Sequence, residues 1–228
     1  MNAKFLGNVK ALLFDLDGTL IDSKQDLVLA VNATLRELGR EELPADLVAS
    51  YVGSGAPVLI QRALGSSPDS EEFQRSLRFF LAYYEQHKLD FTRAYPGVRE
   101  ALEQLGETPM VVLTNKPVNI SLRILEGLGL APFFQAIYGG DSFPTKKPDA
   151  LGAITILTQL QVAAPEAVLV GDSEVDVQTA RSAGMISAIV NFGFGVHNRA
   201  AYPADVYLDR MEDLLPVFFN DHHRPPHP

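Results

Sequence analysis

The sequence predicts an α/β protein whose parallel sheet is interrupted, just after its first strand, by an all-helical insertion. Two observations carry this expectation. After residue 95, short apolar runs alternate with amphipathic stretches, the pattern of a parallel sheet covered by helices on both faces. Between residues 44 and 88 the apolar periodicity is helical only.

The elements follow in order. The first apolar run, residues 9–16, lacks clean alternation, as suits a strand buried on both faces. Asp17-Gly18-Thr19 marks a turn. A helix starts near Ser23, with Leu27, Val31, Leu35 and Leu38 on one face and Gly39 as its stop. Leu47, Val48 and Tyr51 mark a short helix; Val58, Leu59, Arg62 and Ala63 mark another, between Gly55 and Gly65. Phe73, Leu77, Phe80, Leu81 and Tyr84 form the stripe of a longer helix, read as core packing. Beyond Tyr95-Pro96-Gly97, strands are expected at 110–113, 136–138, 168–170, 186–190 and 206–208. Helices are expected at 98–105, 118–128, 149–160, 174–183 and 212–219. The chain thus divides into a Rossmann-like parallel-sheet core, residues 1–21 and 94–228, and a helical cap, residues 22–93. An insertion at that point emerges at the carboxyl edge of the sheet, where open α/β sheets bind ligands, so the cap is placed to act as a lid.

Composition narrows the function. The 228 residues are 46% hydrophobic and 21% charged, ordinary for a globular chain with a real core. A net charge of −9 with no basic cluster argues against nucleic acid. The absence of cysteine excludes disulfides, thiolate catalysis and cysteine-ligated zinc. No apolar run reaches the ~18 residues of a membrane span. The run at 11–14 ends in Asp15 and is far shorter than the apolar region of a signal peptide. A soluble cytoplasmic protein with no membrane partner is expected. The tail, from His222 to Pro228, is expected to be disordered.

Four segments carry chemistry. Asp15 and Asp17 flank Leu16 at the end of the first strand, pointing the same way, with Gly18 free to turn the backbone toward a ligand. Carboxylates so close favour a bound cation or a shared proton, and a hard cation such as Mg²⁺ suits oxygen ligands. Alone, the motif also fits a surface turn. Thr114-Asn115-Lys116 follows the strand at 110–113; a hydroxyl there can donate to a phosphoryl oxygen or cap the next helix. In Lys146-Lys147-Pro148-Asp149, Pro148 suits the first turn of a helix, with Lys147 just before it, able to meet a phosphate or simply to face solvent. In Gly171-Asp172-Ser173-Glu174-Val175-Asp176, Ser173 can cap a helix and Asp176 sits in its first turn, but capping does not account for Asp172 at the strand end. All four would converge on one edge of the sheet.

These stretches, in this order, resemble the haloacid-dehalogenase superfamily, most closely its bacterial phosphoglycolate phosphatase branch. Tyr95-Pro96-Gly97-Val98, Asp22-Ser23 and Val52-Gly53-Ser54-Gly55 are similar as well. The resemblance implies a Mg²⁺-dependent phosphatase acting on a small phosphorylated metabolite, 2-phosphoglycolate first, as monomer or homodimer. It implies Asp15 as nucleophile and metal ligand, and Asp17 as general acid/base and backbone metal ligand. It implies Gly18, Thr114, Asn115 and Lys147 around the phosphoryl group. Asp172 is implied as the acidic metal ligand, and Asp176 as its support, through a metal-bound water or by holding Lys147. In the cap, Gly53, Ser54 and Gly55 would let backbone approach the ligand. Arg62 would pair with a substrate carboxylate, or face solvent, as its helical position favours. A mutase like β-phosphoglucomutase shares the core motifs but carries a cap-loop arginine where this chain has Ala56. Dehalogenases lack the second aspartate, present here as Asp17. A phospho-receiver switch lacks the helical insert and an acidic residue placed like Asp172.

Overall fold

The computed structural model describes residues 9–219. The tail from His222 lies outside them. Eight strands and nine α-helices are described: β1 Ala11–Phe14, β2 Ile21–Asp22, α1 Lys24–Glu37, α2 Ala45–Ala49, α3 Ala56–Leu64, α4 Glu71–His87, β3 Arg93–Ala94, α5 Val98–Leu105, β4 Met110–Leu113, α6 Val118–Gly127, β5 Ala136–Tyr138, α7 Leu151–Leu160, β6 Ala167–Gly171, α8 Glu174–Ala183, β7 Ile186–Val190, β8 Val206–Leu208 and α9 Leu214–Phe218.

Six strands form a parallel sheet in the order β5-β4-β1-β6-β7-β8. The run 9–16 is apolar throughout because β1 is central and both its faces are covered. Leu12 and Phe14 pack into the layer that includes Val98, Leu102, Ile124 and Phe218. Ala11 and Leu13 face the opposite layer, with Ile156 and Leu157 of α7 and Ala180 of α8. The strand is shorter than the run that encodes it. The Leu16 carbonyl accepts hydrogen bonds from the N–H groups of Thr19, Leu20 and Ile21, so the chain is already turning there.

The chain leaves this sheet and returns to it through a two-stranded antiparallel ribbon, β2 against β3, with Ile21 opposite Ala94 and Asp22 opposite Arg93. The expected boundaries at 21/22 and 93/94 fall within this ribbon. Buried Asp26 of α1 fastens the return: it accepts from the Thr92 N–H (2.8 Å) and hydroxyl (2.7 Å) and from the Phe91 N–H. Between the two strands, α1 to α4 bury Leu27, Val31, Leu35, Val48, Leu59, Ile60, Phe73, Phe80 and Tyr84.

Two expected helices begin differently. The helix expected from residue 149 starts at Leu151. Ala150 is its N-cap and the Asp149 carboxylate, one residue earlier, accepts from the Leu151 N–H (2.8 Å), so Pro148 stands before the first turn rather than in it. The helix expected over 212–219 is a 3₁₀ turn, Met211–Asp213, followed by α9. The Asp213 carboxylate accepts from the Arg210 N–H (2.9 Å) and fixes the 3₁₀ turn. Pro216, which has no N–H to give, falls in the first turn of α9, where none is needed.

Candidate active site

Three neighbouring strands end in polar residues at one rim. Asp15 follows β1, Thr114 follows β4 and Asp172 follows β6, with β1 between the other two. Phe14 lies opposite both Val112 and Val170, which sets the three ends side by side. From β1 the sheet grows in opposite directions, toward β4 and toward β6, so the rim opens at the switch point of the topology.

Asp15, Asp172 and Asp176 each offer an oxygen within 4.8 Å of the others, and all are buried. Lys147 Nζ reaches in from the turn before α7, 2.6 Å from Asp176 Oδ1 and 2.9 Å from Asp15 Oδ1. Asp176 Oδ2 accepts from the Ser173 hydroxyl (2.7 Å) and N–H (3.2 Å), so one carboxylate both caps α8 and holds Lys147. The Gly195 N–H donates to Asp172 Oδ2 (2.6 Å). Gly18 turns the chain at φ +82°, and a Cβ there would collide with the Asp172 carboxylate.

Three acidic groups against one ammonium leave excess negative charge in a dry place. Burial pushes the Asp15 carboxyl up to about 6, against the opposing pull of Lys147. It pushes Asp172 well above the usual carboxylate range, with Asp176 and Asp15 adding to the rise. A hard divalent cation on these oxygens relieves that charge, and the donor set, all oxygen with no sulfur or imidazole, fits such an ion.

Asp17 faces the other side of the rim. Its carboxylate accepts from the Ser23 hydroxyl (2.5 Å) and from Lys116 Nζ (2.8 and 3.0 Å). Lys116 Nζ also donates to the Tyr84 hydroxyl (2.7 Å) and stands 4.5 Å above the Tyr84 ring. Burial works to lower the Lys116 pKa, but Asp17 and Tyr84 outweigh it and the ammonium is held above its ordinary range. Asp15, Asp17, Thr114, Lys116 and Tyr84 open onto a cavity of about 40 Å³. Its far wall is apolar, including Leu27, Val52, Leu59, Phe80, Leu81 and Ile120. That is room for about three waters.

The sequence model of the haloacid dehalogenase-like hydrolase family matches residues 12–190, from the strand carrying Asp15 past the loop carrying Asp172. The chain belongs to this family. A protein from Pseudomonas savastanoi named phosphoglycolate phosphatase is 40% identical over 216 residues, 91% of this chain and 79% of its own length. One of the same name from Neisseria gonorrhoeae is 38% identical over 227 residues, 97% of this chain and 96% of its own. The crystal structure of a predicted phosphoglycolate phosphatase from Haemophilus somnus superposes with a TM-score of 0.87 at 31% identity, covering 92% of this chain and 98% of that one.

Asp15, Lys147, Asp172 and Asp176 meet in one cluster, with Gly18 packed against it. Thr114 lines the cavity; its hydroxyl accepts from the Lys116 N–H (3.3 Å). Asn115 spends its amide nitrogen on two carbonyls, Gly53 of the cap loop and Lys147, both at 2.9 Å, so its side chain ties the cap to the lysine turn. Gly53 and Gly55 line the cavity, and the backbone there comes up against Asn115. Ser54 is not among the described lining residues. Neither is Arg62, which is exposed and donates to the Tyr51 carbonyl (3.4 Å).

Sequence reasoning gave Lys116, Tyr84, Ser23, Gly193 and Gly195 no part in the chemistry: Tyr84 reads as core packing and Ser23 as a helix start. Lys116 stands inside a motif already quoted, and Tyr84 is the one member of its helical stripe with a polar tip. Those signals were present; the pairing of the two residues, 32 positions apart, was not. A Cβ on Gly193 or Gly195 would crowd Asp172, which nothing local in the sequence announces.

Proposed function

We propose that this chain is a Mg²⁺-dependent phosphatase that hydrolyses a small phosphate monoester, 2-phosphoglycolate first among them, through an aspartyl-phosphate on Asp15. The observation that carries this reading is Asp15 itself: a buried carboxylate at the end of the central strand, ion-paired with Lys147, grouped with Asp172 and Asp176, and followed two residues later by a second carboxylate.

The Asp15 carboxylate attacks phosphorus and forms an acyl phosphate as the ester oxygen leaves, which divides one hard step into two. Asp17 gives its proton to the leaving oxygen. It then takes a proton from the water that attacks the phosphorus of the acyl phosphate, and phosphate departs with Asp15 restored. Lys147 and the Thr114 hydroxyl hold the phosphoryl oxygens, and Asp176 keeps Lys147 in place. Asp15, Asp172 and the Asp17 carbonyl would hold Mg²⁺, which neutralises charge on the phosphoryl group. The helices between β2 and β3 act as the lid, with their Gly53 loop latched by Asn115, and exclude water from the cavity.

The resident ion has a signature independent of turnover. Burial raises Asp15 from 3.8 to about 6 and raises Asp172 too. Across that interval the native metal-free protein binds more protons than the unfolded chain, so its stability falls as pH climbs through it. Mg²⁺ takes the ionised form. At about 100-fold over Kd it raises Tm by about 5–10 °C, and the rise is larger near pH ~8 than near ~5. EDTA stops turnover and Mg²⁺ restores it. A Tm indifferent to Mg²⁺, or full activity after chelation, contradicts the metal assignment.

The functional test is phosphate release from a panel of small esters: 2-phosphoglycolate, sugar phosphates and p-nitrophenyl phosphate. Many equivalents released, with 2-phosphoglycolate the best substrate by kcat/KM, is the expected outcome. Indifference to 2-phosphoglycolate discards that substrate alone; a single retained phosphate and no turnover discards the enzyme.

A further inference from the structure

We propose that Lys116 and Tyr84 form the subsite for an acidic group on the leaving side of the substrate, a carboxylate one carbon beyond the ester oxygen. This rests on the phosphatase reading above and adds the residues that choose the substrate.

The cavity has two unlike ends. At the Asp15 end, Lys147 lies behind the wall, paired with Asp15 and Asp176 and not among the described lining residues. Beyond Asp17, Lys116 is the one cation among the described lining residues. It is 6% exposed, and its Nζ is held at the cavity wall by the Asp17 carboxylate and the Tyr84 hydroxyl. Apart from Thr114, Asn115 and the backbone of Gly53, Gly55 and Ala56, the remaining wall is aliphatic or aromatic, and burying an unpaired carboxylate is costly.

The reaction fixes where such a group must lie. The ester oxygen has to reach Asp17 to collect its proton. A carboxylate on the adjacent carbon then falls beside whatever touches Asp17 on the cavity side. Lys116 Nζ, 2.8 Å from Asp17 Oδ1, is that group. Tyr84 adds a second donor: its hydroxyl accepts from Lys116 and keeps its own proton for another acceptor. Burial holds the phenol up to about 12, so that proton stays on.

The two residues come from different parts of the chain. Lys116 follows β4 in the core and Tyr84 sits on α4 of the insertion. The subsite is therefore complete only when the insertion is seated, which links lid closure to the presence of the acidic group. Arg62, the cation the sequence offered for this task, is exposed and turned to the Tyr51 carbonyl.

The test compares kcat/KM on 2-phosphoglycolate with kcat/KM on ethyl phosphate, which keeps the ester link and lacks the carboxylate. Lys116 also touches Asp17, so Lys116→Met lowers both values; the ratio isolates recognition of the acidic group. The ratio falls at least about tenfold in Lys116→Met, the size of one lost charged hydrogen bond, and less in Tyr84→Phe. Tyr84→Phe keeps the ring and packing, so it carries the test if Lys116→Met does not fold. A ratio unchanged in the folded variants, with both substrates slowed alike, overturns the subsite and leaves Lys116 as a positioning residue for Asp17. A wild-type enzyme that favours neither ester overturns the choice of 2-phosphoglycolate instead, before any variant is made.

Discussion

Asp15→Asn lowers phosphate release from any ester by at least about 10⁴-fold, because an amide does not attack phosphorus. The fold survives the change. Asn matches the carboxylate in volume, and Lys147 keeps Asp176 at 2.6 Å, so the ammonium is not left unpaired. Burial holds the Asp15 carboxyl up to about 6, which means that above that pH the native metal-free protein carries a charge that its surroundings disfavour. A neutral amide removes that cost, so the Tm of the metal-free variant at about pH 8 equals or exceeds that of the wild type. Calorimetry and steady-state kinetics on the same preparation check both halves. A folded variant that still turns over ends the nucleophile assignment.

Lys147→Met damages stability as well as turnover. Lys147 is 7% exposed and sits between Asp15 and Asp176. Met fills much of the same volume without charge, so the loss is electrostatic. Breaking a buried pair by removing one partner costs about 3–5 kcal/mol, since the other charges stay behind. For a chain of this size that is roughly 6–20 °C in Tm. Turnover falls at least about 10³-fold, as the transferring phosphoryl group loses a fixed positive charge. Saturating Mg²⁺ recovers part of the stability, because it neutralises the same carboxylates, but not the rate. A variant that melts within about 2 °C of the wild type shows that the lysine is not the counter-charge described here.

Much of this architecture is legible in the chain. The sheet strands announce themselves because burial on both faces leaves no polar alternation: Met110-Val-Val-Leu113 and Ala167-Val-Leu-Val-Gly171 are apolar from end to end. The first residues after β1, β4 and β6 break those runs with polar groups, and a parallel sheet puts such breaks on one rim. What was not legible depends on partners distant in sequence. The β2–β3 ribbon is four residues in all, too short for a period, and exists because Asp26 and the backbone of Phe91 and Thr92 meet. The Tyr84 stripe reads as core because five of its members share a helical face; that Phe80, Leu81 and Tyr84 also wall the cavity follows from how α4 sits against the rim. The resemblance places Asn115 near the phosphoryl group; that its amide nitrogen also donates to the Gly53 and Lys147 carbonyls has no local signal in the sequence. Arg62 has the right charge in the insertion, but its position on α3 directs it outward.

In the proposed cycle Asp15 itself carries the phosphoryl group. The direct measurement is mass spectrometry of peptides from enzyme quenched in acid during turnover of 2-phosphoglycolate, with Asp17→Asn used to slow the breakdown of the acyl phosphate. One added phosphoryl group is expected on the peptide containing Asp15, absent from Asp15→Asn treated in the same way. Turnover with no modified peptide under conditions that preserve acyl phosphates, or a phosphoryl group on any residue other than Asp15, contradicts the cycle.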